Sequence, residues 1–228
     1  MRKILSFARR VGKSLSIYQK DIIHDFLPQI NHATSLVVAE DKIFLKQTEQ
    51  KIAKIIFEIG FGNGLHLAKR ALNNSNNLFI GCEPFLNGVA ALLKEIKEHN
   101  ISNIYIWNND ANILLDKISD DFLDEVHIFF PDPWPKKKHH KRRIINDDSL
   151  KLLSKKLKNN AEIKIATDHA EYAKHILLTL IKSDNFTTSA SNISQWQIFP
   201  EDWIKTKYQL KAEKEGYKCF YFNFVNIK

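Results

Sequence analysis

The sequence predicts an α/β fold, a largely parallel sheet covered by helices on both faces. Two observations predict it. Short β-like runs alternate with stretches whose apolar residues recur at three- and four-residue spacing. The seven glycines and six prolines are scattered, so no linker divides the chain. Strands that alternate with crossover helices require parallel pairing.

The elements follow in order. KIIFEIG (54–60) reads as a buried strand, then a glycine turn, then a helix over GLHLAKRALNN (64–74). NLFIGCE (77–83) is the next strand and 86–100 the next helix. NIYIWN (103–108) is a third strand, and 124–134 contains a fourth that must stop at Pro131, because proline cannot continue a central ladder. A helix follows over 147–158, a fifth strand over 161–168 and a helix over 170–183. Residues 216–227 alternate aromatic and polar side chains and form a last strand.

Composition narrows the function. At 228 residues and 44% hydrophobic, the chain can bury a substantial core and is not a disordered polymer. Lys and Arg total 34 against 26 Asp and Glu, a net charge of +8 that favours polyanions, nucleic acid before an anionic membrane surface. Two cysteines, Cys82 and Cys219, are too few for a disulfide framework or a zinc cage, and both lie in apolar runs where a small buried thiol fits. No stretch approaches the ~20 apolar residues of a membrane span. The N-terminus has no apolar core or cleavage site of a secretory signal. A reducing, cytoplasmic location is expected.

Parallel sheets bind ligands beyond the carboxyl ends of their strands, and the unusual residues gather there. The first strand ends Glu58-Ile-Gly60-Phe-Gly62-Asn-Gly64, glycines that let backbone approach a ligand closely. Leu65 occupies the position where the dinucleotide fingerprint needs Gly or Ala, which argues against a nicotinamide oxidoreductase. Glu58 would repel a pyrophosphate and suits a ligand with sulfonium and ammonium groups. Glu83 ends the second strand, where an acid can accept both ribose hydroxyls. Asp110 follows the third strand, placed either to accept from an adenine amino group or to cap a helix. Three acids after three successive strands resemble the class I S-adenosylmethionine methyltransferase pattern.

After the fourth strand comes Phe130-Pro-Asp-Pro-Trp-Pro-Lys-Lys-Lys-His-His-Lys-Arg-Arg143, a proline-stiffened loop followed by six cations within eight positions. Such dense like charge repels itself unless a polyanion neutralises it, so the run is read as phosphate-binding rather than as a solvated face. His139 and His140 belong to this loop, with no spacing that suggests a metal.

PDPWPKKKHHKRR, with EIGFGNG, GCEPF, NNDA, ATDHAEYA and TKYQ, resembles the bacterial tRNA (guanine-N7-)-methyltransferase family over nearly the whole chain. The resemblance implies a class I methyltransferase (Rossmann-like) three-layer sandwich, with a mostly parallel seven-stranded sheet and an antiparallel last strand. It implies S-adenosylmethionine as donor, S-adenosylhomocysteine as product, no metal, and methylation of a guanosine in the tRNA variable loop. It places Glu58, Glu83, Asp110 and Asp132, with Gly60, Gly62 and Gly64, around the donor, and Asp132 nearest the chemistry. Lys136, Asp168 and the turn of Thr206, Lys207, Tyr208 and Gln209 would contact the substrate nucleotide. The family usually has glutamate where this chain has Gln209, and an aliphatic residue then histidine where it has Pro84-Phe85. Asp168 is read equally well from the residues alone as a cap for the helix that follows.

Residues 1–30, with Arg2, Lys3, Arg9, Arg10, Lys13 and Lys20 ahead of any acid, read as a basic arm that stays mobile until nucleic acid binds. Residues 31–228 read as one methyltransferase domain, monomeric or homodimeric. Trp196, Phe199 and Trp203 read as packing residues. The rival functions are a non-catalytic RNA-binding module that keeps the fold, and a transferase of this fold acting on another RNA or a protein.

Overall fold

The computed structural model describes residues 12–38, 42–46, 51–201 and 203–228. Arg2, Lys3, Arg9 and Arg10 of the basic arm lie outside these. The chain divides into two compact units, one ending at Ser119 and one beginning at Asp120. Its seven-stranded sheet is the mostly parallel one expected, with the last strand antiparallel.

The first unit opens with α1 (Ile17–Asp21), where Ser16 and Gln19 form a reciprocal capping box. A π-helical turn (Ile22–Phe26) leads into α2 (Leu27–Ala33). Ile22, Leu27 and Ile30 from this run are buried in the same apolar cluster as Val89, Leu93 and Ile96. The expected arm boundary at residue 30 therefore cuts through a helix that is part of the core. A short hairpin, β1 (Leu36–Val38) and β2 (Ile43–Leu45), follows, which the sequence pattern did not suggest.

Next come β3 (Ile55–Ile59), α3 (Leu65–Asn73), β4 (Leu78–Cys82), α4 (Leu86–His99), β5 (Ile104–Trp107) and α5 (Ala111–Lys117). β3, β4 and β5 pair in parallel. Every residue of β3 and β4 is buried, as strands covered on both faces must be. β5 is the edge, and Asn31 covers part of it: its amide donates to the Ile106 carbonyl and accepts from the Ile106 N–H, both at 2.9 Å. Asn103 Nδ2 ties the carbonyls of Ala71, Asn74 and Asn77 at 3.2, 3.1 and 3.0 Å, closing the end of α3.

The second unit contains β6 (Leu123–Phe129), α6 (Asp147–Lys156), β7 (Leu157–Thr167), α7 (Ala170–Ile181), β8 (Phe186–Thr187), α8 (Lys207–Lys214) and β9 (Phe220–Asn226). β6 and β7 are parallel, and β9 runs antiparallel to both β7 and β8. Across the sheet the order is β5-β4-β3-β6-β7-β9-β8.

Two boundaries differ from the sequence reading. The helix expected to reach 158 stops at Lys156, and the strand expected at 161 starts at Leu157. The cause is distant in sequence. Asn226, fully buried at the end of β9, donates from Nδ2 to the carbonyls of Ser154, Leu157 and Lys158 at 3.1, 3.2 and 3.0 Å. It satisfies carbonyls that the end of a helix leaves without partners. Asn226→Ala strands them in the interior, and we expect it to lower the unfolding free energy by about 2–3 kcal/mol in denaturant titrations. A loss under about 0.5 kcal/mol would show that water replaces the amide.

Candidate functional site

In the first unit the glycine turn after β3 is held from two sides. Gly60, Gly62 and Gly64 have φ of 76°, 59° and 75°, a region that L side chains rarely adopt. Glu83, 8% exposed at the end of β4, accepts from the Gly62 N–H through Oε2 at 2.9 Å and from the Phe85 N–H through Oε1 at 3.0 Å. Each carboxylate oxygen has a second lone pair, so hydroxyl donors of a ligand can still be accepted there. On the other side lies Gly88 of α4. A Cβ built on it would stand 2.0 Å from the Gly62 carbonyl oxygen, so only glycine allows the helix this close.

Glu58 is buried on β3 and accepts from His66 Nδ1 of α3 at 2.7 Å, which fixes the direction of its charge. Asp110 is the N-cap of α5: its Oδ1 accepts from Asn112 N–H at 2.8 Å and from Asn112 Nδ2 at 3.0 Å. The cap alternative for this residue is thus present, with its other oxygen not used by the cap. Cys82 reports the local field. Its buried thiol is pushed well above its usual range, first by desolvation and then by the negative charges of Glu83 and Asp110. It remains a thiol, donating to the Asn109 carbonyl at 3.1 Å, and cannot serve as a nucleophile at neutral pH.

In the second unit the loop after β6 is bracketed by strain. Phe130 and Trp134 both take left-handed backbone conformations, with φ of 51° and 44°. Each is expected to cost on the order of 1–3 kcal/mol for a bulky residue, so the surroundings must impose them. Between them Asp132 is exposed. The basic run then forms a short 3-10 helix (Lys137–Arg142), and its cations do not act as one group. Lys136, Lys137, Lys138 and Lys141 are exposed, whereas Arg143 is 2% exposed and donates from Nε to the Pro133 carbonyl at 2.9 Å. This corrects the reading of all six cations as a phosphate-binding set: Arg143 is turned inward. Arg142 lies over the Trp134 ring at 4.9 Å, and His139 meets that ring edge-on at 5.8 Å. Burial, then the neighbouring Arg142, lowers the His139 pKa below its usual 6.5, so it is neutral at pH 7.

Asp168 is exposed and does not cap α7, because His169 fills that position and accepts from the Tyr172 N–H through Nδ1 at 3.2 Å. The expected turn at Thr206–Gln209 is instead the start of α8, with Thr206 as N-cap accepting from the Gln209 N–H at 3.1 Å. Lys207 and Tyr208 face outward, and the Tyr208 ring stacks near Phe130 at 6.3 Å between centroids. That contact joins the start of α8 to the loop after β6. Gln209 is 1% exposed and donates from Nε2 to Glu213 at 2.8 Å. Glu213 also accepts from Lys205 at 2.9 Å, and the Gln209 and Lys205 bonds hold its carboxyl below the usual 4.5. Trp196 and Trp203 are buried packing residues, as expected, and Phe199 packs beside Trp203.

Sequence reasoning passed over Gly88, His66 and Arg143. A lone glycine inside a helical pattern was the available signal for Gly88; nothing in the pattern distinguished Arg143 from its neighbours. Gly88→Ala must displace the Gly62 carbonyl, an overpacking cost of about 1–3 kcal/mol. If the turn holds S-adenosylmethionine, as the resemblance implies, its binding by calorimetry is expected to weaken at least about tenfold. Unchanged affinity would show that the turn takes no part in holding the donor.

Comparison with known proteins agrees with this geometry. A family model described as "Putative methyltransferase" matches residues 52–222. The tRNA (guanine-N(7)-)-methyltransferase of Erythrobacter litoralis is 39% identical over 220 residues, covering 96% of this chain and 92% of that protein. That of Agrobacterium fabrum is 35% identical over 219 residues, covering 96% and 94%. Among solved structures, an antibiotic-related methyltransferase superposes with a TM-score of 0.51 at 14% identity over 94% of this chain and 97% of that one. An rRNA methylase from Streptococcus thermophilus also gives 0.51, at 12% identity over 94% and 100%. These two establish the class I methyltransferase fold alone. The sequence relatives reach further, and by them the chain belongs to the tRNA (guanine-N(7)-)-methyltransferase family.

Proposed function

We propose that the protein transfers a methyl group from S-adenosylmethionine to N7 of a guanosine in the variable loop of tRNA. The observation that carries this reading is Asp132, an exposed acid held between two conformationally forced aromatic residues at the head of a lysine-rich helix. The donor supplies an electrophilic methyl carbon. Glu83 accepts from the ribose hydroxyls, Asp110 from the adenine amino group, and the fixed charge of Glu58 favours the cationic methionine end, while Gly60, Gly62 and Gly64 admit the ligand to backbone. These acids fit a cation-bearing nucleoside, since Glu83 and Asp110 already set a negative potential strong enough to act on Cys82.

Guanine N7 carries a free lone pair, so no base has to remove a proton before attack. The pair forms the N–C bond, the C–S bond breaks towards sulfur, and the positive charge passes from sulfonium to the purine. Asp132 orients the base and offsets that charge, which makes it the catalytic residue of this reading. Lys136, Lys137, Lys138 and Lys141 bind phosphates; Asp168, Thr206, Lys207 and Tyr208 contact the nucleotide, and buried Gln209 keeps the start of α8 in place. No helix among the described residues is long and apolar enough to cross a membrane. The reading is of a cytoplasmic enzyme, monomeric or homodimeric, whose partner is tRNA.

Incubation of unmodified tRNA with labelled donor, followed by nucleoside analysis, is expected to give 7-methylguanosine; a different methylated base would overturn the assignment. Asp132→Ala should reduce transfer by about 10²-fold or more with tRNA affinity preserved, and near-wild-type turnover would remove Asp132 from its role. Deleting residues 1–13 should weaken tRNA binding and flatten its dependence on salt, by about 0.7–0.9 in log–log slope for each phosphate no longer neutralised. An unchanged slope would leave that segment without a part in binding.

A further inference from the structure

We propose that Arg143 is a positioning residue of the transferase, a buried clamp that fixes the backbone beside Asp132, and not a ligand for tRNA phosphate. The inference rests on the reading of the loop after β6 as part of the transferase site. It starts from the contrast within the basic run, where four lysines are exposed and Arg143 has a side chain only 1% exposed. A buried cation is tolerated only when its donors are filled, and a guanidinium has five in a fixed fork.

Four contacts from three directions engage the fork of Arg143. Nε donates to the Pro133 carbonyl at 2.9 Å, the residue directly after Asp132. Nη1 and Nη2 grip both oxygens of Glu171 on α7, a bidentate pair. Nη2 also lies 3.1 Å from His140 Nε2, which ties the clamp to the short basic helix. The guanidinium plane covers the ring of Tyr172 at 4.9 Å, and the Tyr172 hydroxyl accepts from the Ile145 N–H at 3.5 Å. Tyr172 is fully buried, so it gives the arginine a rigid floor.

The arrangement has a purpose that charge alone would not need. Pro131, Pro133 and Pro135 have no N–H, so the loop cannot brace itself with donors at these positions. Phe130 and Trp134, on either side, sit in conformations that relax unless held. The Pro133 carbonyl is the handle, and Arg143 attaches it to α7. Two electrostatic effects agree. Burial pushes the Tyr172 hydroxyl up to about 12, with Asp132 contributing to the rise, which places the Asp132 charge within reach of the clamp. The bond from Arg143 holds the Glu171 carboxyl below its usual 4.5, so the pair stays charged at neutral pH.

The test is steady-state methyl transfer to tRNA by the full-length protein and its Arg143→Lys variant, with tRNA binding measured across a salt series. Lysine keeps the charge and loses the fork. We expect kcat to fall roughly 10- to 100-fold, the penalty for misplacing a reacting group by about an ångström. The KM for tRNA and the salt slope should remain as in the wild type, and donor-binding stoichiometry should show the protein folded. A raised KM with a slope lowered by about 0.7–0.9 and an unchanged kcat would make Arg143 a phosphate ligand and overturn the proposal. So would kinetics identical to wild type, since lysine would then have rescued a purely electrostatic role.

Should Arg143→Lys fail to fold, Glu171→Gln tests the same clamp from its exposed end, where the side chain is 54% accessible. A several-fold drop in kcat at unchanged KM supports the clamp, and an unchanged kcat refutes it. Both comparisons are made against wild-type activity. A wild type that methylates no guanine in tRNA therefore defeats the functional reading, whereas an active wild type with indifferent variants defeats only the clamp.

Discussion

One carboxylate organises the first unit. Glu83 closes its two oxygens on the N–H groups of Gly62 and Phe85, so the turn after β3 and the turn after β4 cannot move independently. The parallel ladder makes this possible, because Glu58 pairs with Gly81 and Ile59 with Cys82, delivering both strands to their ends in register. Gly88 closes the remaining side by bringing the α4 backbone against the Gly62 carbonyl. A charged group buried at this depth is tolerated because the oxygens accept from backbone donors, the strong class of hydrogen bond for an anion. The same bonds fix where its two oxygens point, so on the proposed reading one set of contacts serves both stability and ligand recognition.

The second unit solves positioning differently. Its loop is stiffened by prolines, which restrict φ but remove donors, and it contains two aromatic residues in conformations they avoid. Rigidity here has to come from outside the loop, through the Pro133 carbonyl and the Phe130–Tyr208 stack. Backbone contacts hold the first site and a side-chain clamp holds the second. The loop has a backbone anchor at its start, where the Phe130 N–H donates to the Ala166 carbonyl at 2.7 Å, while the Pro133 carbonyl further on is held by the Arg143 side chain.

Much of this was legible in the sequence. Buried parallel strands are nearly continuous apolar runs, so β3, β4 and β5 were found within a residue of their ends, and the acids at strand ends followed from the topology. What stayed hidden depends on partners far along the chain. The end of α6 is set by Asn226, some seventy residues on, and no local propensity encodes that. The start of α8 looked like a turn because Thr206 is a cap, and caps and turns favour the same residue types. Asp168 and Asp110 were each readable as a cap; only the structure shows that His169 takes the first position and Asp110 the second. Arg143 could not be told from Arg142 by charge, since burial decides which cation faces a polyanion and which faces a carbonyl.

The two ligands of the proposed reaction make opposite electrostatic demands: a cationic donor needs negative potential, and tRNA needs positive. Burial separates them within one basic chain. Glu58, Glu83 and Asp110 are each under a tenth exposed, where screening by salt is weak and their field acts on near neighbours such as the Cys82 thiol. The lysines of the short basic helix are in solvent, where ionic strength attenuates their attraction beyond about 8–10 Å. On the proposed reading, salt therefore loosens the hold on RNA while leaving the field of the buried acids nearly untouched. On the proposed reading, turning Arg143 inward gives up one phosphate ligand, and what it secures in exchange is the Pro133 backbone directly after the exposed Asp132.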